Sequence, residues 1–200
     1  MTREVSLDEA MDRYAEGETA AFSILYAGLE QKLRAFLMRL AGARPVAEDL
    51  LQETFMRMHR ARGSFERGAK VVPWAYAIAR NAWLDHARSA HARSQRDRDA
   101  KAAEVGSPPV DPATGPEADS EQAAIARQTA AIVQTTLGAL PPGQREAFIL
   151  LRYEGMSVEE AAEIAGSPPA AVKLRAFRAY EALRAALGQK KTREGGGDEP

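Results

Sequence analysis

The sequence predicts an all-α protein in which two small helical domains are joined by a flexible linker, the C-terminal domain containing a helix-turn-helix. Apolar residues recur at helical spacing through most of the 200 residues, and we find no segment of useful length with the period of a strand. Residues 103–120 hold four prolines and two glycines among mostly small and acidic residues, which disfavours both helix and core strand. The predicted divisions are an N-terminal extension (1–17), a first domain (18–95), a linker (96–120), a second domain (121–187) and a disordered tail (188–200).

Three helices and a loop are expected in the first domain, after a short helix within the extension. A helix over about 19–41 carries a one-sided apolar stripe and ends at a glycine. The stripe consists of Phe22, Leu25, Tyr26, Leu29, Leu33, Phe36, Leu37 and Leu40. The next helix, over about 45–61, is acidic near its start, where the helix dipole favours negative charge. A basic, glycine-containing loop over 61–70 then leads to a helix over about 72–91.

The second domain is predicted to hold helices over about 121–137 and 141–155, followed by the helix-turn-helix of residues 156–184. Ser157 and Glu160 form a capping box, and Gly166 suits a turn that needs a positive φ. The apolar face of the last helix consists of Val172, Ala176, Ala179 and Leu183. The side chains expected to point elsewhere are Lys173, Leu174, Phe177 and Arg178. From these residues alone, an ordinary helical hairpin with a basic, solvated face remains an alternative.

The net charge of −1 conceals strong segregation of charge along the chain. Residues 57–98 hold ten Lys or Arg against three Asp or Glu, and residues 173–193 hold seven against one. Residues 99–121 hold six acidic residues against one lysine, and the first twenty residues hold six against two arginines. Two basic blocks separated by an acidic one indicate two contacts with one polyanion.

Composition also limits location and chemistry. The chain has no cysteine, and therefore no disulfide or thiolate nucleophile. Its N-terminus is acidic without an apolar core, and no apolar run approaches the ~20 residues of a membrane span, so we expect a cytoplasmic protein without membrane insertion.

We expect that the protein is not an enzyme and that it uses no cofactor and no metal. His59, His86 and His91 lack metal-ligand partners at useful spacing. The sequence shows no phosphate-binding glycine loop, nucleophile elbow or Ser/His/Asp arrangement. The acidic residues around Asp49 could imitate a carboxylate site, but a protein contact explains an acidic helix start more simply.

Four stretches carry a resemblance to a known family. They are AEDLLQETFMRMHRA (Ala47–Ala61), VPWAYAIARNAWLDHAR (Val72–Arg88), LPPGQREAFILLRYEGMSVEEAAEIAG (Leu140–Gly166) and AVKLRAFRAYEALR (Ala171–Arg184). Together, in this order, they resemble the bacterial sigma factors of RNA polymerase, specifically the extracytoplasmic-function (ECF) group of the sigma-70 family. The resemblance covers roughly residues 18–92 and 122–187, as sigma region 2 and sigma region 4.

The resemblance implies a sigma factor that binds core RNA polymerase at its clamp and flap and directs promoter-specific initiation. Region 2 would recognise and melt the single-stranded −10 element, and region 4 would bind the duplex −35 element. The resemblance also implies an anti-sigma factor as partner. The positions that match the family's clamp-binding helix are Asp49, Leu50, Gln52, Glu53 and Phe55, of which Leu50 and Phe55 support the helix.

For −10 DNA, the resemblance points to the basic loop and one face of the following helix. The predicted contacts are Ser64, Phe65, Arg67, Lys70, Trp74, Arg80, Asn81, Asp85 and Arg88. Arginines and lysines, here joined by Arg60 and Arg62, would hold phosphates, and an aromatic ring would stack an unpaired base. Trp74, Tyr76 and Trp83 are candidates for that ring, but for Tyr76 and Trp83 we favour a core position.

For −35 DNA, the positions that match the family are Lys173, Leu174, Arg175, Phe177, Arg178 and Arg184. Lys173 and Arg178 would contact guanine edges or phosphates and Phe177 a thymine methyl group, while Arg175 and Arg184 would hold phosphates. Pro168-Pro169 and Ala176 depart from the family's pattern, which leaves the groove geometry open.

Two other classes of function explain fewer features of the sequence. A helix-turn-helix regulator acting without core polymerase as an obligatory partner would share the C-terminal motif, but it would not need the two helices over 45–61 and 72–91. A purely structural interaction protein would not need the segregated basic blocks.

Overall fold

The computed structural model describes residues 5–100 and 121–194, which form eight α-helices and one short 3₁₀ helix. Within these two ranges there is no strand, which confirms the all-α class. The helices are α1 (Leu7–Ala15), α2 (Ala21–Ala41), α3 (Arg44–Ala61), the 3₁₀ turn (Arg62–Ser64), α4 (Val71–Ala100), α5 (Glu121–Ala139), α6 (Pro142–Arg152), α7 (Val158–Ala165) and α8 (Pro169–Glu194).

The helices divide into two compact units. Helices α1–α4 belong to the N-terminal unit, and α5, α6, α8 and the first part of α7 belong to the C-terminal unit. The predicted boundaries of the two domains stay a prediction.

Helix α2 lies at the centre of the N-terminal unit, because its apolar stripe contacts α1, α3 and α4. Leu25, Leu29 and Leu33 are fully buried. Farther along the helix, Phe36 packs against Tyr76 of α4 with ring centroids 4.9 Å apart. Tyr26 was predicted to belong to this stripe, but it is 43% exposed, because it sits toward α3 at the rim of the bundle. Its ring instead packs against Phe55.

Local signals in the sequence correctly predicted several helix ends. Gly42 ends α2 with φ +73°, a conformation that costs glycine little. Gly166 has φ +55° between α7 and α8. The capping box is present: the Ser157 amide donates to Glu160 at 2.8 Å, and the Glu160 amide donates to the Ser157 hydroxyl at 3.1 Å.

Two helices are longer than the sequence analysis predicted. Helix α4 continues past His91 to Ala100, so residues 96–100, which were assigned to the linker, are helical. Helix α8 continues to Glu194, so residues 188–194 of the predicted disordered tail are helical as well. Residues 92–100 contain three arginines, one glutamine and two alanines, and residues 188–194 contain two lysines, one arginine, one glutamine and one glutamate, all residue types of high helix propensity. Residues 101–120 of the linker and 195–200 of the tail lie outside the described residues.

In the C-terminal unit, α8 packs against both α5 and α6. The buried face of α8 contains Val172, Ala179 and Leu183, as the helical spacing predicted. On α6, the helix that α8 packs against, Ile149 and Leu150 are fully buried. This packing leaves the opposite face of α8 exposed.

The central position of α2 generates a stability prediction. Leu33→Ala should lower the free energy of unfolding by about 2–5 kcal/mol, because it deletes a fully buried side chain and leaves a cavity. Chemical denaturation followed by circular dichroism measures this. Lys32→Ala, one residue earlier on the exposed side of the same helix, is the control and should change stability by less than about 0.5 kcal/mol. Equal effects of the two changes would contradict this packing.

Candidate functional site

The start of α3 presents a polar surface. Asp49 and Gln52 are exposed, and Glu53 is partly exposed. Leu50 and Phe55 are only 5% and 6% exposed, so they hold the helix against the core and offer little surface of their own. The predicted clamp-binding positions therefore separate into exposed residues and the residues that support them.

Arg57 connects this surface to α4. Its guanidinium donates to Glu53 on the same helix at 2.8 Å and to Asp85 of α4 at 2.7 Å. Arg88 donates to the other oxygen of Asp85 at 2.7 Å. The hydrogen bond from Arg57 holds the pKa of Asp85 below its usual value, and the charge of Arg88 adds to this effect. Asp85 joins α3 to α4 and pairs with Arg88, and its predicted contact with −10 DNA stays a prediction.

An apolar groove of about 530 Å³ lies between α1, α2 and α3, beside Gln52. Its aromatic wall is formed by Phe22, Tyr26 and Phe55, with the Tyr26 and Phe55 ring centroids 4.8 Å apart. Met56, 44% exposed, lies on its rim. The helical spacing of the sequence places Phe22 and Tyr26 in the core stripe of α2. Met56 falls outside the apolar face of α3, which is the signal in the sequence that it is exposed.

The loop between α3 and α4 shows a mixture of exposed and buried positions. Ser64, Arg67 and Lys70 are exposed. Phe65 is 8% exposed and packs edge-on against Trp74, with ring centroids 5.1 Å apart. The Phe65 ring is buried against Trp74 on the first turn of α4, and its predicted contact with DNA stays a prediction. Trp74 stays partly exposed.

The outer face of α4 carries Arg80, Asn81 and Arg88 together with Asp85. Asn81 and Arg88 are exposed, and Arg80 donates to the Asn81 side-chain oxygen at 3.2 Å. On the inner side, Tyr76 and Trp83 are 1% and 4% exposed, which confirms the core position favoured for both. These two rings cannot serve as a base platform without leaving the core.

Two further arginines were predicted to hold phosphates. Arg60 is exposed, and its guanidinium lies 3.9 Å from Glu53. Arg62 donates to the His59 carbonyl at 2.7 Å and lies over the Tyr14 ring. Arg62 therefore stabilises the end of α3, whereas Arg60 extends the basic surface.

The exposed face of α8 carries most of the predicted −35 positions. Lys173, Arg178 and Arg184 are exposed, and Leu174 and Phe177 are 50% and 61% exposed. Arg175 differs, because it is partly buried and donates to the Ser167 hydroxyl at 3.0 Å. Arg175 thus ties α8 to the preceding turn.

Phe177 also lines an apolar groove of about 330 Å³ between α6 and α8. Phe148 and Tyr180 form its other aromatic walls, and Tyr180 is 59% exposed. Ala176 forms part of the floor, so the small residue that departs from the family pattern makes room for the groove. Tyr180 was not among the predicted positions, although it follows Phe177 by three residues and therefore lies on the same side of the helix.

Within the described ranges, no helix is long and apolar enough to cross a membrane. The same part of the chain holds no cluster of three or more His, Asp or Glu side chains that could bind a metal ion.

Comparison with known proteins identifies the family. The model of sigma-70 region 2 matches residues 25–93, and the model of sigma-70 region 4 matches residues 130–183. The chain belongs to the ECF group of the sigma-70 family. RNA polymerase sigma factor CarQ of Myxococcus xanthus is 38% identical to it over 90% of this chain and 96% of CarQ. The RNA polymerase sigma-H factor of Pseudomonas aeruginosa is 30% identical over 90% of this chain and 92% of that protein.

A solved structure agrees with this assignment. The sigma factor RpoE of Bartonella quintana, in complex with the anti-sigma factor NepR, has a TM-score of 0.65 and 30% identity, covering 84% of this chain and 96% of that one. The sequence-based identification as a polymerase-binding sigma factor is therefore confirmed, and a regulator acting without polymerase is not favoured.

The Asp85 ion pairs generate a pH prediction for this sigma factor. Because the folded-state pKa of Asp85 is lowered, its contribution to stability is present above the unfolded pKa of about 4 and is lost as pH falls through the folded value. Asp85→Asn should lower the melting temperature near pH 7, and the difference from wild type should shrink as pH falls below about 4.

Melting temperatures from pH 7 to pH 3, measured by circular dichroism, test this. Asp49→Asn is the control, because no ion pair of Asp49 is described, and its difference from wild type should stay small at every pH. A constant deficit of Asp85→Asn across the range would mean that its charge does not stabilise the α3–α4 contact.

Proposed function

We propose that this sigma factor uses three separate surfaces during initiation: the start of α3 for the polymerase clamp, the loop–α4 face for −10 DNA, and the exposed face of α8 for −35 DNA. The observation that carries the proposal is the exposure of most of the polar and cationic positions at which the sequence resembles the family's contact residues. Run-off transcription with purified core polymerase on a promoter library tests the whole proposal. Absence of any specific transcript with the wild-type protein would overturn it.

At the clamp, Asp49 and Gln52 would make the direct polar contacts. Glu53 is held by Arg57 and would contribute through that pair. The adjoining groove offers exposed apolar area at Tyr26 and Met56, which suits a protein partner better than a phosphate backbone.

At the −10 element, Arg67, Lys70 and Arg88 would neutralise phosphates, with Ser64, Arg80 and Asn81 beside them. Trp74 is the aromatic residue of this face that keeps an exposed edge for an unstacked base. Phe65 would act beneath it, by holding the Trp74 ring in position. Asp85 would act through Arg88.

At the −35 element, Lys173 and Arg178 would contact base edges or phosphates from the exposed side of α8. Leu174 and Phe177 would make apolar contacts, and Arg184 would hold a phosphate. Arg175 would act through the turn at Ser167.

The remaining features of the proposal concern partners and location. We infer a cytoplasmic, non-enzymatic protein without cofactor, which binds the polymerase clamp and flap and is held inactive by an anti-sigma factor. The similarity to a sigma factor solved with its anti-sigma factor supports this partner. The domains are proposed as region 2 over 18–95 and region 4 over 121–187, which the two matched ranges support.

The clamp surface predicts a defect in core binding. Asp49→Lys should weaken binding to core polymerase by about tenfold at low salt, with a smaller loss at high salt, because an exposed interface charge is screened. Fluorescence anisotropy of labelled protein with core polymerase measures this. Glu9→Lys on α1 is the matched charge reversal and should bind core normally. An equal loss in both variants would indicate a general effect of net charge.

The α8 face predicts a defect that depends on the −35 element. Arg178→Ala should reduce transcription from an intact promoter by an amount equivalent to about 1–3 kcal/mol if Arg178 contacts a base with two hydrogen bonds. On a template with a scrambled −35 element, the same variant should match wild type. A loss of equal size on both templates would remove Arg178 from −35 recognition.

A further inference from the structure

Helix α1 lies before the matched region 2, which begins at residue 25, and neither family model covers it. It is nevertheless bonded to the loop that precedes α4. Asp8, Asp12 and Glu16 follow one another at intervals of four residues, so they lie along one side of α1 and the turn after it. We call these three residues the α1 carboxylates, and each of them contacts a residue between Arg67 and Val71.

Asp8 caps helix α4 from another part of the chain. One oxygen of its carboxylate accepts the Val71 amide at 2.9 Å, and the other accepts the Lys70 ammonium at 2.8 Å. Val71 is the first residue of α4 and is fully buried, so its amide would otherwise lack a partner in the helix. Burial alone would raise the pKa of Asp8, but the hydrogen bonds from Lys70 and Val71 outweigh it and leave the pKa below its usual value.

Asp12 and Glu16 fix the middle of the same loop. Asp12 accepts the Gly68 amide at 3.2 Å, and Gly68 has φ +79°, a conformation that other residues rarely adopt. Glu16 pairs with Arg67 at 2.8 Å. The loop backbone is thus tied to α1 at two amides three residues apart.

The two kinds of contact differ in strength. The Arg67 and Lys70 side chains are 79% and 77% exposed, so their ion pairs are screened by water and can exchange for a phosphate. The hydrogen bonds to the backbone amides of Gly68 and Val71 do not involve the Arg67 or Lys70 side chain, so they persist when these cations turn to a phosphate. The hydrogen bonds to these two amides therefore define the shape of the loop, whereas the Arg67 and Lys70 side chains remain able to bind a phosphate.

We propose that Asp8 and Asp12 are positioning residues for promoter recognition: through the Val71 and Gly68 amides they hold the loop between α3 and α4 in the conformation that engages −10 DNA. The inference rests on the proposed −10 role of the loop–α4 face. Selectivity for the −10 sequence then depends on a helix that neither matched region includes. Loss of these hydrogen bonds lets the loop sample other conformations. Ordering the loop again then reduces the free energy of binding to −10 DNA.

The experiment compares two double variants of the full-length protein with core polymerase. Asp8→Ala with Asp12→Ala removes both acceptors, whereas Asp8→Asn with Asp12→Asn keeps an acceptor oxygen at each position and removes the charge. One promoter identified with the wild-type protein is randomised in its −10 region, and the transcripts are sequenced. Selectivity is the ratio of transcripts from preferred and non-preferred sequences.

The alanine pair should lose about tenfold in selectivity, and the asparagine pair should stay within about twofold of wild type. Affinity for core polymerase should be unchanged in both. Glu9→Ala, an exposed acid on the same helix, should behave as wild type. Hydrogen exchange at the Gly68 and Val71 amides should accelerate in the alanine pair only.

Three results would overturn the inference. Equal losses in the alanine and asparagine pairs would assign the effect to charge, and a gain in DNA binding by the alanine pair would make α1 a competitor of DNA. Unchanged selectivity in the alanine pair would also refute it if Asn81→Ala lowers selectivity, because the −10 face would then work without α1. If Asn81→Ala and Arg88→Ala leave selectivity unchanged as well, the proposed −10 face itself is wrong.

Discussion

The apolar stripe of α2 is the constraint on which the N-terminal unit depends. Because α1, α3 and α4 all pack on this one helix, each of them has one buried side and one side left for polar residues. Burial of the stripe supplies most of the favourable free energy, at roughly 25 cal/mol for each Å² of apolar surface removed from water. The acidic start of α3 and the basic face of α4 are therefore both exposed on helices that pack against α2.

Polar contacts between these helices add a second level of organisation. Arg57 links α3 to α4 through Asp85, and Asp8 and Asp12 link α1 to the loop before α4. The surface proposed for polymerase and the surface proposed for DNA thus share a residue, Arg57, whose two partners lie one on each helix. A disturbance of α3 by a bound partner has a direct physical route to Arg88 through Asp85.

Sequence reasoning predicted the features that depend on neighbouring residues. The capping box at Ser157, the positive φ of Gly166 and the core positions of Tyr76 and Trp83 all follow from local spacing and residue type. It did not predict contacts between distant residues. The packing of Phe65 on Trp74 is a tertiary contact that local spacing does not reveal. The hydrogen bonds from α1 join residues 56 and 63 positions apart. The ends of α4 and α8 were missed because strongly charged, polar segments suit a helix and a solvated tail equally well.

The pairing of cations also bears on how the two proposed DNA-binding faces respond to salt. A free lysine or arginine that neutralises a phosphate releases a counterion from DNA, which makes binding weaken as salt rises. Lys70 and Arg67 must first break an ion pair with a carboxylate, and that carboxylate then attracts a cation from solution. Each of them therefore contributes less to the net release of counterions. For Lys173 and Arg178 on α8, no ion pair is described. DNA binding at the −35 face should therefore weaken more steeply with salt than binding at the −10 face, and by a larger margin than the numbers of basic residues in the two units would indicate. Binding at the −10 face should depend more on the shape of its loop.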